Sequence, residues 1–336
     1  MPVLIERRRR PRKLGVDYGL NRIDIGLVNN MPDTALEATE RQYVALLSEA
    51  AGDDVLVHLH LYSLPEIRRT DRAAEHTKKL YRSLDVLTRT PLDALIVTGA
   101  EPQTHDLREE IYWPSLTKLI DWAQANTIST IFSCLAAHAA VLHLDGIARR
   151  PLAKKLFGVF DETIAEPHPL TKGLAGLPAP HSRWNELREP DLRAKNYSIL
   201  THPDEAGVGM FAKKDENLLI FLQGHPEYEA ETLLREYRRD IGRYLRAERS
   251  TYPGRPRHYF DARASDRVIQ YRKRATIRRE RDLLQEFPIF ELRRSVRHSW
   301  RPGAVAFYRN WLNILDKGKP VRIATRILKQ AGVATR

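Results

Sequence analysis

The sequence predicts an α/β fold with a mostly parallel sheet that helices cover on both faces. Short apolar runs of strand length alternate with helical patterns over most of the 336 residues, and this alternation is typical of parallel sheets. The composition is 42% hydrophobic and 29% charged, which is close to the average of globular proteins. The chain is therefore long and apolar enough to bury a substantial core.

In the first half of the chain, strands and helices are predicted from apolar spacing. An apolar run that ends at Asn29 predicts a strand. The spacing of Leu36, Tyr43 and Leu46 predicts the helix after it, and Pro114 marks the first turn of a later helix. The predicted strands cover residues 23–28, 55–61, 93–97 and 130–133, and the predicted helices cover residues 33–47, 114–125 and 135–144.

The second half contains three more strand-like runs, joined by polar turns, and two apolar helical patterns. These strands cover residues 197–200, 208–212 and 218–222, and the helices cover residues 229–246 and 304–315. Between residues 250 and 301, prolines and many arginines interrupt the apolar periodicity. There, residues 268–287 predict a charged surface helix.

The formal net charge of +12 is concentrated in two stretches. Residues 1–13 carry six basic side chains and one acidic one, and residues 263–301 carry twelve basic and five acidic side chains, so the rest of the chain is neutral. We therefore predict four parts: a basic N-terminal arm over residues 1–19, an α/β domain over residues 20–259, a basic insertion over residues 260–300, and a C-terminal helical segment over residues 301–336 that packs on the main domain.

Several classes of protein are disfavoured by the same observations. No apolar run of signal-peptide or membrane-helix length is present, so we expect no secretory signal and no membrane partner. A single cysteine forms no internal disulfide, which favours a reducing cytoplasm. Nucleic-acid binding by the two arginine-rich stretches stays an alternative, which a neutral body without a recognisable binding module disfavours.

The most informative residue is Cys134, which stands where a predicted strand turns directly into a predicted helix. At that position the unpaired N–H groups and the dipole of the helix favour a thiolate and can receive an oxyanion. A buried cysteine that acts only as a small apolar side chain is the alternative.

A second candidate segment contains His225 and Glu227, directly after the strand at residues 218–222. Two residues apart in extended backbone, their side chains can face the same way. A cysteine, a histidine and an orienting carboxylate are the parts of a nucleophile–base–orienter triad. Because strand ends meet at one edge of an open parallel sheet, we expect these residues to lie near Cys134.

A third segment, residues 179–184, offers His181, Ser182 and Arg183 beside a proline-stiffened turn, and an ordinary surface loop explains it equally well. The sequence contains no phosphate-binding loop, no dinucleotide fingerprint and no zinc-protease motif. We therefore predict neither a metal site nor a tightly bound cofactor.

Together these segments resemble the MetA-type homoserine O-acyltransferases, which share the fold of class I glutamine amidotransferases. The match runs in order from about residue 20 to 316, apart from about residues 260–296. The matching segments are residues 27–32, 94–100, 112–114, the segment around Cys134, and residues 155–159, 179–183, 224–228 and 310–313.

The resemblance implies transfer of an acyl group from acyl-CoA to the hydroxyl of homoserine, a step toward methionine. It implies that Cys134 becomes an acyl thioester, that His225 is the general base and that Glu227 orients His225. By position, the amino-acid substrate contacts would be Lys155, Ser182 and Arg239. The expected partners are the small-molecule substrates homoserine and acyl-CoA, the latter a co-substrate rather than a bound cofactor. The resemblance also suggests that the chain forms a homodimer.

Three departures from the family pattern leave alternatives open. At the position linked to acyl choice, succinyl enzymes carry glycine and acetyl enzymes glutamate, whereas this chain has Gln103, so both donors stay open. Asp33 begins a segment where the family usually has lysines, and His138 stands where the family differs. Another acceptor such as serine, and a glutaminase-like amidotransferase, are the alternative activities. The latter usually has glycines beside its cysteine, unlike Ser133 and Leu135 here.

Overall fold

The computed structural model describes residues 2–6, 21–205 and 207–330, with side chains up to residue 320. The strands are β1 Val3–Ile5, β2 Asn21–Val28, β3 Val55–Tyr62, β4 Tyr81–Arg82, β5 Ala94–Val97, β6 Ser129–Ser133, β7 Arg150–Phe160, β8 Glu162–Ile164, β9 Ala179–Glu186, β10 Ser198–Pro203, β11 Met210–Lys214 and β12 Leu218–Leu222. The helices are α1 Asp33–Ala51, α2 Asp71–Leu80, α3 Leu84–Leu87, α4 Trp113–Asn126, α5 Leu135–Asp145, α6 Glu189–Arg193, α7 Thr232–Leu245, α8 Ala262–Ile277, α9 Ile289–Arg293 and α10 Arg301–Gln330.

Within the described residues, ten strands form one mixed sheet. Its order is β1-β3-β2-β5-β6-β12-β11-β10-β8, with β4 paired to β3. All pairs from β1 to β12 are parallel, and the pairs from β12 to β8 are antiparallel. The predicted mostly parallel sheet is therefore confirmed.

The sheet is buried on both faces, as a parallel sheet covered by helices requires. On β5, Ala94 and Ile96 point into a cluster with α1 and α10, whereas Leu95 and Val97 point into a cluster with α4 and α5. This alternation follows the two-residue period of a strand. Helices on both faces, the second part of the predicted fold class, are confirmed.

Strands β7 and β9 form a separate antiparallel pair that the apolar pattern did not predict. The segment that begins at Ala179 is not a turn or surface loop, because it forms β9 with His181 and Arg183 buried. In β7, Gly158 adopts a φ of 150° and lies against Arg257, so that a Cβ there would overlap the backbone of Arg257. This pair faces the carboxyl end of the main sheet.

The segment predicted as a basic insertion is folded against α7. Helix α8 covers residues 262–277, so it begins and ends before the predicted charged helix, and a 3-10 turn follows at Arg281–Glu286. Val268, Tyr271 and Ala275 are buried on its inner face. Residues 7–20 of the predicted N-terminal arm lie outside the described residues, while Val3–Ile5 pair with β3. In the described part of the chain, no helix is both long and apolar enough for a membrane span.

Candidate active site

Cys134 occupies a sharp turn between β6 and α5, with φ 52° and ψ −111°. Such a backbone is costly for a residue other than glycine, so surrounding contacts must fix it. Its N–H donates to the carbonyl of Leu222 at 2.7 Å, and its carbonyl accepts from the N–H of Ala137 at 3.0 Å. These bonds hold the thiol at the start of α5, where the helix dipole favours a thiolate.

His225 and Glu227 lie at the end of the neighbouring strand, β12. His225 Nδ1 lies 2.8 Å from Glu227 Oε1, and the side chains of His225 and Cys134 are hydrogen-bonded. The backbone N–H of His225 donates to the carbonyl of Pro180 on β9 at 2.8 Å. The structure thus brings the three predicted residues into one chain of contacts from thiol to imidazole to carboxylate.

The charges of the neighbouring side chains favour the protonated form of His225. Burial opposes the imidazolium, but the charges of Glu227 and Cys134 outweigh it and raise the pKa of His225 well above its usual value. The positive charges of Arg183 and Arg149 also act on Cys134. A positively charged imidazole beside Cys134 is the arrangement expected around a nucleophilic cysteine.

Tyr228 connects the histidine to the rest of the molecule. Its ring stacks on His225 with centroids 4.3 Å apart, and its hydroxyl donates to Glu236 at 2.8 Å. Its carbonyl accepts from Trp300 Nε1 at 2.8 Å and lies 2.9 Å from His298 Nε2. The imidazole plane is thus fixed by packing as well as by Glu227.

The three residues predicted to contact the amino-acid substrate lie together around two acidic residues of α7. Ser182 donates to Glu236 at 2.5 Å, and Lys155 Nζ lies 3.5 Å from Asp240. Arg239 lies 3.1 Å from Asp240. The cluster carries both charges, which suits a zwitterion with an ammonium and a carboxylate group.

Sequence reasoning missed Glu236 and Asp240. Both carboxylates point inward from α7 and are mostly buried. Their spacing of four residues, which puts them on one helix face, was the available signal. This spacing did not stand out because α7 contains many other charged residues, which are typical of a solvent-exposed helix face.

A cavity of about 670 Å³ joins the triad to this cluster. Its wall includes residues of both groups, namely Cys134, His225, Lys155, Ser182 and Arg239, together with Gly99 and Leu135. Gly99 lies directly against the start of α5, since a Cβ there would be 3.1 Å from the N atom of Leu135. The first N–H groups of a helix have no partner within the helix, so they can receive an oxyanion beside Cys134.

The remaining sequence positions have different surroundings. Gln103 follows Glu101 and Pro102, which line the cavity, but its own backbone N–H donates to Glu110 at 2.7 Å and its side chain is exposed. Asp33 accepts from the N–H of Thr70 at 2.7 Å and from Arg69 at 3.3 Å. It thus ties α1 to the segment before α2.

His138 also lies on the cavity wall, on the first turn of α5. Its Nε2 is 2.9 Å from Gln223 Oε1, and burial lowers the pKa of His138 to about 3. This histidine is therefore neutral and joins α5 to β12. Among the described residues, no group of three or more His, Cys, Asp or Glu is placed to hold a metal ion.

Comparison with known proteins identifies the family of the chain. The family model described as homoserine O-succinyltransferase matches residues 15–320. The chain belongs to the homoserine O-succinyltransferase family. The family resemblance predicted from the sequence is therefore confirmed, and with it membership of an acyltransferase family.

Curated relatives carry the same name, and two of them illustrate the similarity. The homoserine O-succinyltransferase of Rhodopseudomonas palustris is 47% identical over 291 residues, which are 86% of this chain and 87% of the relative. That of Bradyrhizobium japonicum is 47% identical over 297 residues, 88% of this chain and 91% of the relative. Among solved structures, a glutamine amidotransferase from Thermotoga maritima is 11% identical and gives a TM-score of 0.48, covering 88% of this chain and 98% of its own.

Proposed function

We propose that this member of the homoserine O-succinyltransferase family transfers a succinyl group from succinyl-CoA to the hydroxyl of homoserine, as a step in methionine biosynthesis. The observation that carries the proposal is the contact chain Cys134–His225–Glu227 at the wall of one cavity. The names of the relatives favour succinyl over acetyl and homoserine over serine. Family membership favours acyl transfer over a glutaminase-like activity.

The first half-reaction forms a thioester on the enzyme. The Cys134 thiolate attacks the thioester carbonyl of the donor, and N–H groups at the start of α5 receive the oxyanion. The carbon–sulfur bond to CoA then breaks as the His225 imidazolium gives its proton to the leaving sulfur. The products of this step are succinyl-Cys134, free CoA and neutral His225.

The second half-reaction uses the neutral histidine as a base. His225 takes the proton of the homoserine hydroxyl, whose oxygen attacks the enzyme thioester. The bond to Cys134 Sγ breaks, and the thiolate–imidazolium pair is restored. Glu227 holds the Nδ1 side of the ring, so that Nε2 faces the reacting atoms in both steps.

The charged cluster would hold the acceptor in place for this step. Lys155 and Arg239 suit the α-carboxylate, and Glu236 and Asp240 suit the α-ammonium, while Ser182 supplies a hydroxyl. Serine, with one methylene fewer, would place its hydroxyl closer to the cluster and farther from Cys134. For donor choice we retain Gln103, since the residues before it line the cavity.

The decisive experiment follows the acyl group to the cysteine. Purified protein is incubated with succinyl-CoA or acetyl-CoA, and its intact mass is measured before and after addition of homoserine or serine. We expect one succinyl group on Cys134 that homoserine removes, and a loss of turnover of at least about 10³-fold in Cys134→Ala. Full turnover by Cys134→Ala would rule out the thioester, and a preference for acetyl-CoA would correct the donor.

Assembly and location remain separate predictions. A homodimer is predicted from the family resemblance, and sedimentation of the purified chain measures its mass directly. The cytoplasm is predicted from the single cysteine.

A further inference from the structure

A second cavity, of about 390 Å³, lies between α7 and the segment that follows α8. Five arginines line it: Arg235, Arg238, Arg239, Arg246 and Arg293. The rest of its wall is uncharged and is formed by Gly242, Leu284 and Ile289. The cavity is therefore a concentrated positive site with an apolar patch.

The arginines converge because of the helix period. Arg235, Arg238, Arg239 and Arg246 lie on one side of α7, with Gly242 at its centre, and Arg293 faces them from α9. A Cβ on Gly242 would lie 3.1 Å from both Arg246 and Leu284, so the glycine leaves room between them.

Arg239 pairs with Asp240 of the reaction cavity at 3.1 Å, whereas three of the other four arginines pair with carboxylates outside the wall of the second cavity. Arg235 pairs with Glu229 at 2.8 Å, Arg246 with Glu248 at 2.6 Å, and Arg293 with Glu231 at 2.9 Å. These pairs are solvent-exposed, so exchanging them for a stronger anion costs little. Arg238 has no acidic partner within the described part of the chain.

The second cavity adjoins the reaction cavity, because Arg239 lines both. Two further arginines, Arg243 and Arg249, line the reaction cavity itself. A ligand that spans both would place an anionic end among the arginines and a reacting group beside Cys134. Acyl-CoA has this form, with a 3′-phosphate and a 5′-diphosphate on its adenosine and the acyl group at the far end of its pantetheine arm.

We propose that the arginine cavity binds the phosphate-bearing nucleotide end of the acyl-CoA donor, with the adenine against Leu284 and Ile289. This inference rests on the proposed function and names the donor subsite. Guanidinium groups suit phosphates because each can donate two parallel hydrogen bonds. The basic insertion thereby supplies one wall of the donor subsite, through Leu284, Ile289 and Arg293.

The test compares a complete donor with one that lacks the nucleotide. Steady-state rates are measured with succinyl-CoA and with succinyl-pantetheine for the wild type, the double variant Arg238→Gln/Arg293→Gln, and Arg278→Gln. Arg278 is an exposed arginine of the same insertion, paired with Glu280 away from the cavity. We expect the double variant to raise the KM for succinyl-CoA about 10- to 100-fold, with kcat and the KM for homoserine unchanged.

For succinyl-pantetheine, the double variant and the wild type are expected to be equal, and Arg278→Gln is expected to match the wild type with both donors. Equal effects on both donors, or none, would overturn the donor subsite. Circular dichroism checks that the variants fold.

Direct binding separates this inference from the proposed function. Calorimetry with adenosine 3′,5′-bisphosphate is expected to detect binding to the wild type, weakened about 10-fold or more in the double variant, and competition with succinyl-CoA. Binding that does not compete would make the cavity a regulatory nucleotide site and overturn the proposal. If the wild type acylates no acceptor, the proposed function fails, while the calorimetry still tests the cavity.

Discussion

His225 is buried beside Glu227 and Cys134, the two groups whose negative charge favours its protonated form. In a low-dielectric site, a buried imidazolium persists only if such charges compensate its lost hydration. The proton on His225 therefore depends on Glu227 as much as on the nucleophile. This dependence makes the carboxylate a sensitive test of the site at the residue scale.

Glu227→Gln keeps the size of the side chain and removes its charge. Because burial alone lowers the pKa of a histidine, the raised pKa of His225 is expected to fall, and the imidazolium is lost at lower pH than in the wild type. We expect kcat/KM to drop about 10²- to 10⁴-fold and the alkaline limb of its pH profile to move to lower pH. Initial rates across the pH range measure both.

The control is Glu216→Gln, which removes an exposed carboxylate from the turn between β11 and β12. It is expected to leave the pH profile unchanged. A Glu227→Gln profile that is lower but has its alkaline limb in the wild-type position would contradict the role assigned to the carboxylate.

The proximity of Cys134 and His225 could be predicted from sequence because each stands within three residues of the end of an apolar strand. Cys134 follows β6 and His225 follows β12, and the ends of parallel neighbours must meet. Glu236 and Asp240 could not be recognised in this way. Their inward direction depends on how α7 rotates against β7 and β9, and that rotation is set by tertiary packing.

At the scale of elements, the site depends on how closely β5 approaches α5. Gly99 stands two residues after the end of β5, and a Cβ there would lie 2.6 Å from Leu135 Cβ. No flexible side-chain end is involved, so the start of α5 would have to move. Since Cys134 precedes that helix directly, any shift carries the thiol and the oxyanion donors with it.

Gly99→Ala is therefore expected to impair catalysis more than folding. A displacement of the nucleophile by part of an ångström is expected to lower kcat/KM by about 10²-fold. Overpacking is expected to lower the free energy of unfolding by about 1–3 kcal/mol. Enzyme rates and urea unfolding measure the two effects.

Gly254→Ala is the matched control, because a Cβ at Gly254 meets no atom within 4 Å. Its activity is expected to equal that of the wild type. Normal activity of Gly99→Ala would mean that α5 can shift without moving the reacting groups.

Sequence patterns also differed in how well they predicted elements. The strands of the main sheet are continuous apolar runs, so β12 was predicted with its observed ends. Strands β7 and β9 were not predicted because polar side chains that lie at or near the reaction cavity interrupt their apolar patterns. Lys155 interrupts the apolar pattern of one, and His181 and Arg183 interrupt that of the other. Buried polar residues of this kind make a strand resemble a surface loop in the sequence.

At the scale of the whole molecule, the described residues form three large apolar clusters. Two lie on opposite faces of the main sheet, and the third joins β7, α7, α8 and the residues up to Trp300. Tyr228 belongs to this third cluster and stacks on His225. The segment predicted as an insertion is therefore connected to His225 through a buried core.

This arrangement predicts that α8 unfolds together with the main body. Tyr271 is buried, and its hydroxyl donates to the carbonyl of Leu283 at 2.7 Å. Tyr271→Ala is expected to lower the free energy of unfolding by about 3–5 kcal/mol, Tyr271→Phe by about 1 kcal/mol, and the exposed control Ile277→Ala by less than about 0.5 kcal/mol. Urea unfolding followed by circular dichroism and tryptophan fluorescence should show the main transition moving to lower urea. A separate early transition, with the main one unmoved, would mean that α8 is an independent appendage and that its core does not support the site.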